Sequence, residues 1–252
     1  MMFNIIIPAR YASQRLPGKP LRDIVGKPMI QRVYEQACLS GAKEVVIATD
    51  DQRVADAAKG FGAIAYMTSD QHRSGTDRIA EVIKLRGYDD DEIIVNMQGD
   101  EPTMPPQLLK LAAEHCANSD ADIITAAEWI TQSEDIFNTN VVKVVVDDNS
   151  CALYFSRAPI PWDRSNFADG HTDGDIVDRS YRRHIGLYAY RAGFVKQYVS
   201  WPAGKLETLE LLEQLRALEH GRKIFVFDAP CDPGFGVDTE EDLAKVIDLL
   251  SA

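Results

Sequence analysis

FNIIIPARYASQRLPGKPL, residues 3–21, decides how the rest of the chain is read. Its first five residues form an apolar run rich in β-branched side chains, which reads as a buried strand over Phe3–Ile7. The strand feeds a loop of small residues and prolines carrying Arg10, Arg15 and Lys19 at spacings no helical stripe would align. From Pro8 to Arg32 there are six cations (Arg10, Arg15, Lys19, Arg22, Lys27, Arg32) and one anion, Asp23, in a chain of formal net charge -12. Such a local excess is a focused positive field suited to a small polyanion. Gly18 permits unusual backbone angles, while Pro17 and Pro20 restrict the loop, so its amides can be pre-aimed. Arginine offers planar forks to phosphate oxygens and lysine a point charge. Taken alone, the loop also fits a plain solvated basic turn.

The strand-loop-helix rhythm continues outward. Pro28 opens a helix with Ile30, Val33, Tyr34 and Ala37 on one face, ended by Gly41. EVVIAT (44–49) is a strand, 51–60 a helix, 64–67 a short strand, and Ser74 begins a helix with Ile79, Val82 and Ile83 inward. EIIVNM (92–97), the helix at 105–117 and DIITAAE (122–128) complete a βαβα series. Apolar strands in that alternation predict an α/β fold: a mostly parallel open sheet with helices on both faces. After it the texture changes. Residues 141–156 read as a hairpin turning at Asp147–Ser150, 163–183 as a mobile polar loop, and 184–191 as a strand. Residues 205–221 read as a helix with leucines 206, 209, 212 and 215 inward, 224–229 as a strand and 238–250 as a closing helix. With no repeat or clear linker, the expectation is a single domain over 1–252 with a smaller β-rich inserted lobe at about 141–200.

Composition sets the outer bounds. The 252 residues are 45% hydrophobic and 26% charged, the profile of a globular chain. Acidity weighs against a nucleic-acid binder. Cys38, Cys116, Cys151 and Cys231 form no CxxC pair and the five histidines are scattered, which fits free thiols in a reducing compartment better than a zinc site. Neither a signal peptide nor a membrane span is expected, so the expected location is cytoplasmic. GxGxxG and the P-loop pattern GxxxxGKS/T do not occur, which weakens dehydrogenase and P-loop readings.

Ligands of open α/β sheets bind beyond the carboxyl ends of the strands. Two acidic motifs belong at that edge with the basic loop. QGDEP (98–102) directly follows EIIVNM, and Asp100 there suits either a turn or a divalent-metal ligand. In GFGVDTEED (234–242), Asp238 stands where a helix N-cap belongs, with Glu241 three residues on; Thr239 could cap instead. Cations for phosphates plus two carboxylates able to share one divalent ion suit phosphoryl or nucleotidyl transfer.

IIPARYASQRLPGKPL, VVIATDD, SGTDRIAEV, IIVNMQGDEP, ALYFSRAPIPWDR, RHIGLYAYRAGF, LEQLRAL and GVDTEEDL span nearly the whole chain in order. With them the chain resembles the 3-deoxy-manno-octulosonate cytidylyltransferases, or CMP-Kdo synthetases, of bacterial lipopolysaccharide assembly. The resemblance implies a nucleotide-diphospho-sugar transferase-like fold in which CTP and Kdo react to give CMP-Kdo and pyrophosphate. It further implies Mg2+ on Asp100 and Asp238, a homodimer, and a sugar-binding and dimer-forming role for the lobe. By the same resemblance, Arg10, Arg15 and Lys19 meet the triphosphate, with Ala9, Ser74, Gly75 and Gln98 around the nucleotide. Arg15, Gln98, Arg157, His184, Tyr188, Glu213 and Gln214 are the implied sugar contacts. Read from the residues alone, Ser74 is equally an ordinary helix cap, His184 a structural histidine, and Glu213 and Gln214 the solvated side of a helix. Another sugar acid (8-amino-Kdo or sialic acid) or a nucleotide-sensing module are the rival readings.

Overall fold

The computed structural model describes residues 1–13, 15–167 and 180–251. In chain order the elements are β1 (Asn4–Ala9), β2 (Asp23–Ile24), β3 (Lys27–Pro28), α1 (Met29–Leu39), β4 (Glu44–Thr49), α2 (Gln52–Gly60), β5 (Ile64–Met67), α3 (Gly75–Arg86), β6 (Ile93–Asn96) and α4 (Pro106–Asn118). They continue with β7 (Ile123–Trp129), α5 (Ser133–Phe137), β8 (Lys143–Val146), β9 (Ala152–Ser156), β10 (Arg182–Arg191) and α6 (Ala192–Tyr198). The last are α7 (Lys205–Glu210), α8 (Gln214–Glu219), β11 (Ile224–Asp228) and α9 (Glu240–Ser251). The backbone divides into two compact units: Met1–Ser119 with Leu187–Ser200 and Cys231–Ala252, and Asp120–Gly186 with Trp201–Pro230.

In the first unit the strand order is β10-β6-β1-β4-β5. β1, β4, β5 and β6 run parallel, and β10 joins β6 antiparallel, with Tyr188 opposite Asn96. All six residues of β1 are buried. Because successive strand residues point to opposite faces, helices must cover both sides of the sheet, as expected. The chain leaves β1 for β4 on one flank and returns later to β6 on the other. This makes the end of β1 a topological switch point, where a crevice opens. The basic loop leaves β1 there, and QGDEP leaves β6 beside it. Gly99 allows this closeness, since a Cβ on it would lie 2.7 Å from the Pro8 carbonyl oxygen.

The second unit has the order β11-β7-β10, with β7 and β11 parallel and the β8–β9 hairpin attached through β8 to the start of β10. The hairpin expected over 141–156 is present. The expected helix over 205–221 is not continuous: Leu211 takes a left-handed backbone (φ 53°) that closes α7, and α8 begins at Gln214. As a consequence Leu209 and Leu211 are exposed at 71% and 77%, while Leu212 and Leu215 stay in the core. Even spacing of leucines gave no warning of the break. Most of the expected mobile loop, residues 168–179, lies outside the described residues. Its flanks are core: Phe167 and Tyr181 are buried in one cluster with Ile130, Ile136 and Val141, and β10 begins at Arg182.

Candidate active site

The centre of the site is one ammonium group. Lys19 Nζ donates to Asp100 Oδ2 at 2.6 Å, Asp238 Oδ1 at 2.8 Å and the Val237 carbonyl at 2.8 Å. Burial alone would lower its pKa, but the two carboxylates more than offset this and the net direction is upward. Arg15 meets the other oxygen of Asp238 at 3.0 Å. Residues 15–19, 100 and 238 thus converge although more than 200 positions separate the outer two. The late loop is docked onto the QGDEP turn: Val237 N donates to the Asp100 carbonyl at 2.9 Å and Phe235 N to Thr103 Oγ1 at 2.8 Å.

The capping of α9 corrects an expectation. Thr239, not Asp238, is the N-cap. Its hydroxyl accepts from Asp242 N, and Asp242 Oδ2 accepts from the amides of Thr239 and Asp238, so the box partner is Asp242 rather than Glu241. A threonine with an acid three residues on caps this helix end without the Asp238 carboxylate. The Asp238 carboxylate is therefore left to Lys19 and Arg15.

A cavity of about 250 Å³ opens beside this group, lined by Ala9, Arg10, Lys19, Gly75, Gln98 and Asp100, among others. Arg10 donates to the His72 carbonyl, and Gln98 Nε2 to Asn96 Oδ1 at 3.2 Å. Ser74 forms a complete capping box with Asp77, which fixes the start of α3 with Gly75 at the cavity wall. Arg78 also lines the cavity and went unnoticed in the sequence. It is fully buried, donates to Asp50 Oδ2 at 2.6 Å and to Thr68 Oγ1, and desolvation pushes its pKa down. The signal was available: Arg78 lies in the apolar stripe of α3, one turn before Val82.

The remaining candidates are set differently. Tyr188 is buried in the first unit. In the second unit, Arg157 donates from Nε to the Glu210 carbonyl at 2.7 Å and from Nη1 to the Thr139 carbonyl at 2.9 Å. His184 Nε2 pairs with Thr125 Oγ1 at 2.9 Å, its ring packs T-shaped with Phe155, and desolvation takes its pKa down to about 3, so the imidazole is neutral at neutral pH. Gln214 is buried rather than on a solvated face, and Glu213 precedes it as the N-cap residue of α8. The helix break at Leu211 explains why both depart from the polar-face reading.

Two carboxylate oxygens and a carbonyl oxygen converging on one cation are a hard-oxygen donor set of the kind magnesium uses, with remaining positions filled by phosphate and water. Among the described residues no three His, Cys, Asp or Glu side chains form a metal-holding group, so a protein-only cage of the zinc type does not arise there.

A cation-rich loop at a switch point, a cavity beside it and paired aspartates are the parts that nucleotidyl transfer calls for. The family model for cytidylyltransferases matches residues 4–224, and the chain belongs to that family. More narrowly, it is 56% identical over its whole length to the 3-deoxy-manno-octulosonate cytidylyltransferase of Vibrio vulnificus (strain CMCP6), covering 99% of that protein. It is 55% identical over 251 residues to 3-deoxy-manno-octulosonate cytidylyltransferase 1 of Actinobacillus pleuropneumoniae serotype 5b, covering all of both. The solved structure of a CMP:2-keto-3-deoxy-manno-octonic acid synthetase complexed with CTP matches at a TM-score of 0.88 and 42% identity. That match covers 100% of this chain and 99% of the other.

Proposed function

We propose that the protein performs the reaction its relatives are named for, activating Kdo with CTP to give CMP-Kdo and pyrophosphate for lipopolysaccharide biosynthesis. The observation that carries this reading is Lys19 between Asp100 and Asp238 at the rim of the cavity. The sugar's C2 hydroxyl attacks the α-phosphorus in line and pyrophosphate leaves, a reaction governed by positioning and charge. Arg10, Arg15 and Lys19 neutralise the triphosphate, while Ala9, Gly75 and the capped start of α3 at Ser74 line the nucleotide's path. Gln98 stands between nucleotide and sugar. Arg15, Arg157, His184, Tyr188, Glu213 and Gln214 serve the sugar, with His184 acting as a neutral hydrogen-bonding group. Asp100 and Asp238 would hold Mg2+, which, when bound, neutralises phosphate charge and lowers the pKa of the attacking hydroxyl. The same oxygens now grip Lys19, so ammonium and metal compete for them. In this reading the protein works in the cytoplasm as a homodimer, with the region around 141–200 serving sugar binding and the dimer contact.

The test is pyrophosphate release with magnesium, each of the four nucleoside triphosphates in turn, and Kdo, its 8-amino analogue or sialic acid. Release with CTP and Kdo is expected. A preference for another sugar acid would revise the substrate, and no release in any combination would overturn the enzyme reading.

A further inference from the structure

We propose that Tyr11 and Arg53 form a clamp that holds the basic loop in its binding-ready shape, so that Arg53 is a positioning residue for nucleotide binding. This deepens the reading above and rests on it. The loop leaves β1 at Ala9 and must bring both Arg10 and Lys19 to the cavity wall. Its far end is anchored by Leu16, which is fully buried, and by the backbone bond from Lys19 N to the Leu16 carbonyl at 3.1 Å. The near end is held by Tyr11. One part of its ring lies against Gly18, where a Cβ would come within 3.1 Å of the phenol oxygen. Gly18 also has φ 68°, so glycine is favoured there by both space and backbone. Tyr11 thus bridges the beginning of the loop to the residue preceding Lys19.

The ring is backed by the Arg53 guanidinium, whose Cζ stands 3.5 Å from the ring centroid. That arginine is fixed in turn by Asp51, which accepts from Nε at 2.9 Å, from Nη2 at 2.7 Å and from the Arg53 amide at 2.9 Å while capping α2. Strand register explains why these parts meet. Ala9 pairs with Thr49 at the ends of parallel β1 and β4, so Tyr11 and Asp51 lie two residues beyond the same rung. The second aspartate of ATDD therefore acts on the loop through Arg53, while the first pairs with Arg78 at the cavity wall. Arg53 itself is not among the residues lining the cavity.

Hydrogen exchange of the loop amides in nucleotide-free protein tests the clamp without any ligand. Calorimetric CTP binding and kinetics with both substrates then test its consequence. Arg53→Ala and Tyr11→Leu are expected to speed exchange within residues 10–19 and to raise the KM for CTP about two- to fivefold, with kcat and the KM for Kdo unchanged. Tyr11→Phe keeps the ring face under Arg53 but loses the phenol oxygen beside Gly18, so it should fall between wild type and Tyr11→Leu. Arg53→Lys, which loses the fork to Asp51, should fall between wild type and Arg53→Ala. Wild-type exchange and CTP affinity in Arg53→Ala would overturn the clamp. A uniform drop in thermal stability with both KM values shifted alike would reduce Arg53 to a structural residue. Faster exchange in the variants, in a wild-type protein that fails to bind CTP, would uphold the clamp and sink the nucleotide reading instead.

Discussion

The cations around Asp100 and those around Glu210 are employed in opposite ways. Lys19 and Arg15 bind mainly side-chain carboxylates of loops that meet at the sheet edge, with the Val237 carbonyl as the one main-chain partner of Lys19. A phosphate or a metal can replace such partners without unravelling the backbone. Arg157 instead donates to main-chain carbonyls of Glu210 and Thr139, and the buried Lys143 donates to the carbonyls of Asn138, Val141 and Arg157. Those bonds hold the chain's path, which leaves Arg157 only its remaining N–H donors for the sugar. A charged residue in a matching motif therefore says little about whether its charge is free to act. Its partners decide that.

The largest expected effect lies at the exchangeable set. Asp100→Asn and Asp238→Asn should each reduce turnover about a hundredfold or more, with the thermal midpoint nearly unchanged. Steady-state kinetics beside a melting curve would check both halves. Lys19→Met should raise the KM for CTP about tenfold, again without unfolding the protein. At the fixed set the ranking reverses. Arg157→Ala should cost roughly 1–2 kcal/mol in denaturant unfolding, whereas Arg15→Ala, at an exposed ion pair, should stay within about 0.5 kcal/mol. If Arg157→Ala left stability untouched, the contrast between the two sets would fail.

A pH titration of stability sharpens the same contrast. The His184 pKa is lowered to about 3 by burial, against 6.5 when free. The unfolded chain therefore binds the extra proton between those values, and stability falls as pH drops through that window. The slope contributed by this residue is at most about 1.4 kcal/mol per pH unit. His184→Gln should flatten the curve there; an unchanged acid limb would assign the loss to carboxylates.

Much of the first unit was legible because period and punctuation agreed. Apolar runs gave β1, β4 and β6, and the prolines and glycines of the basic loop marked its turn. The contacts of Asp238 were not legible, since two capping schemes, Asp238 with Glu241 and Thr239 with Asp242, overlap in DTEED and only three-dimensional geometry chooses between them. Residues 205–219 misled for a different reason: leucine periodicity persists through Leu211 although its backbone leaves the helical region. Arg78 was overlooked because a cation in an apolar stripe looks like noise until Asp50 and Thr68 are seen around it.

Manganese binding, read by the paramagnetic resonance of the free ion with and without CTP, tests the shared-cation geometry most directly. Wild-type protein should bind Mn2+ more tightly in the presence of CTP, and Asp100→Asn or Asp238→Asn should each abolish most of that binding. Lys19→Met, by removing the competing ammonium, should strengthen it in nucleotide-free protein. Unchanged Mn2+ affinity in both aspartate variants would contradict the account.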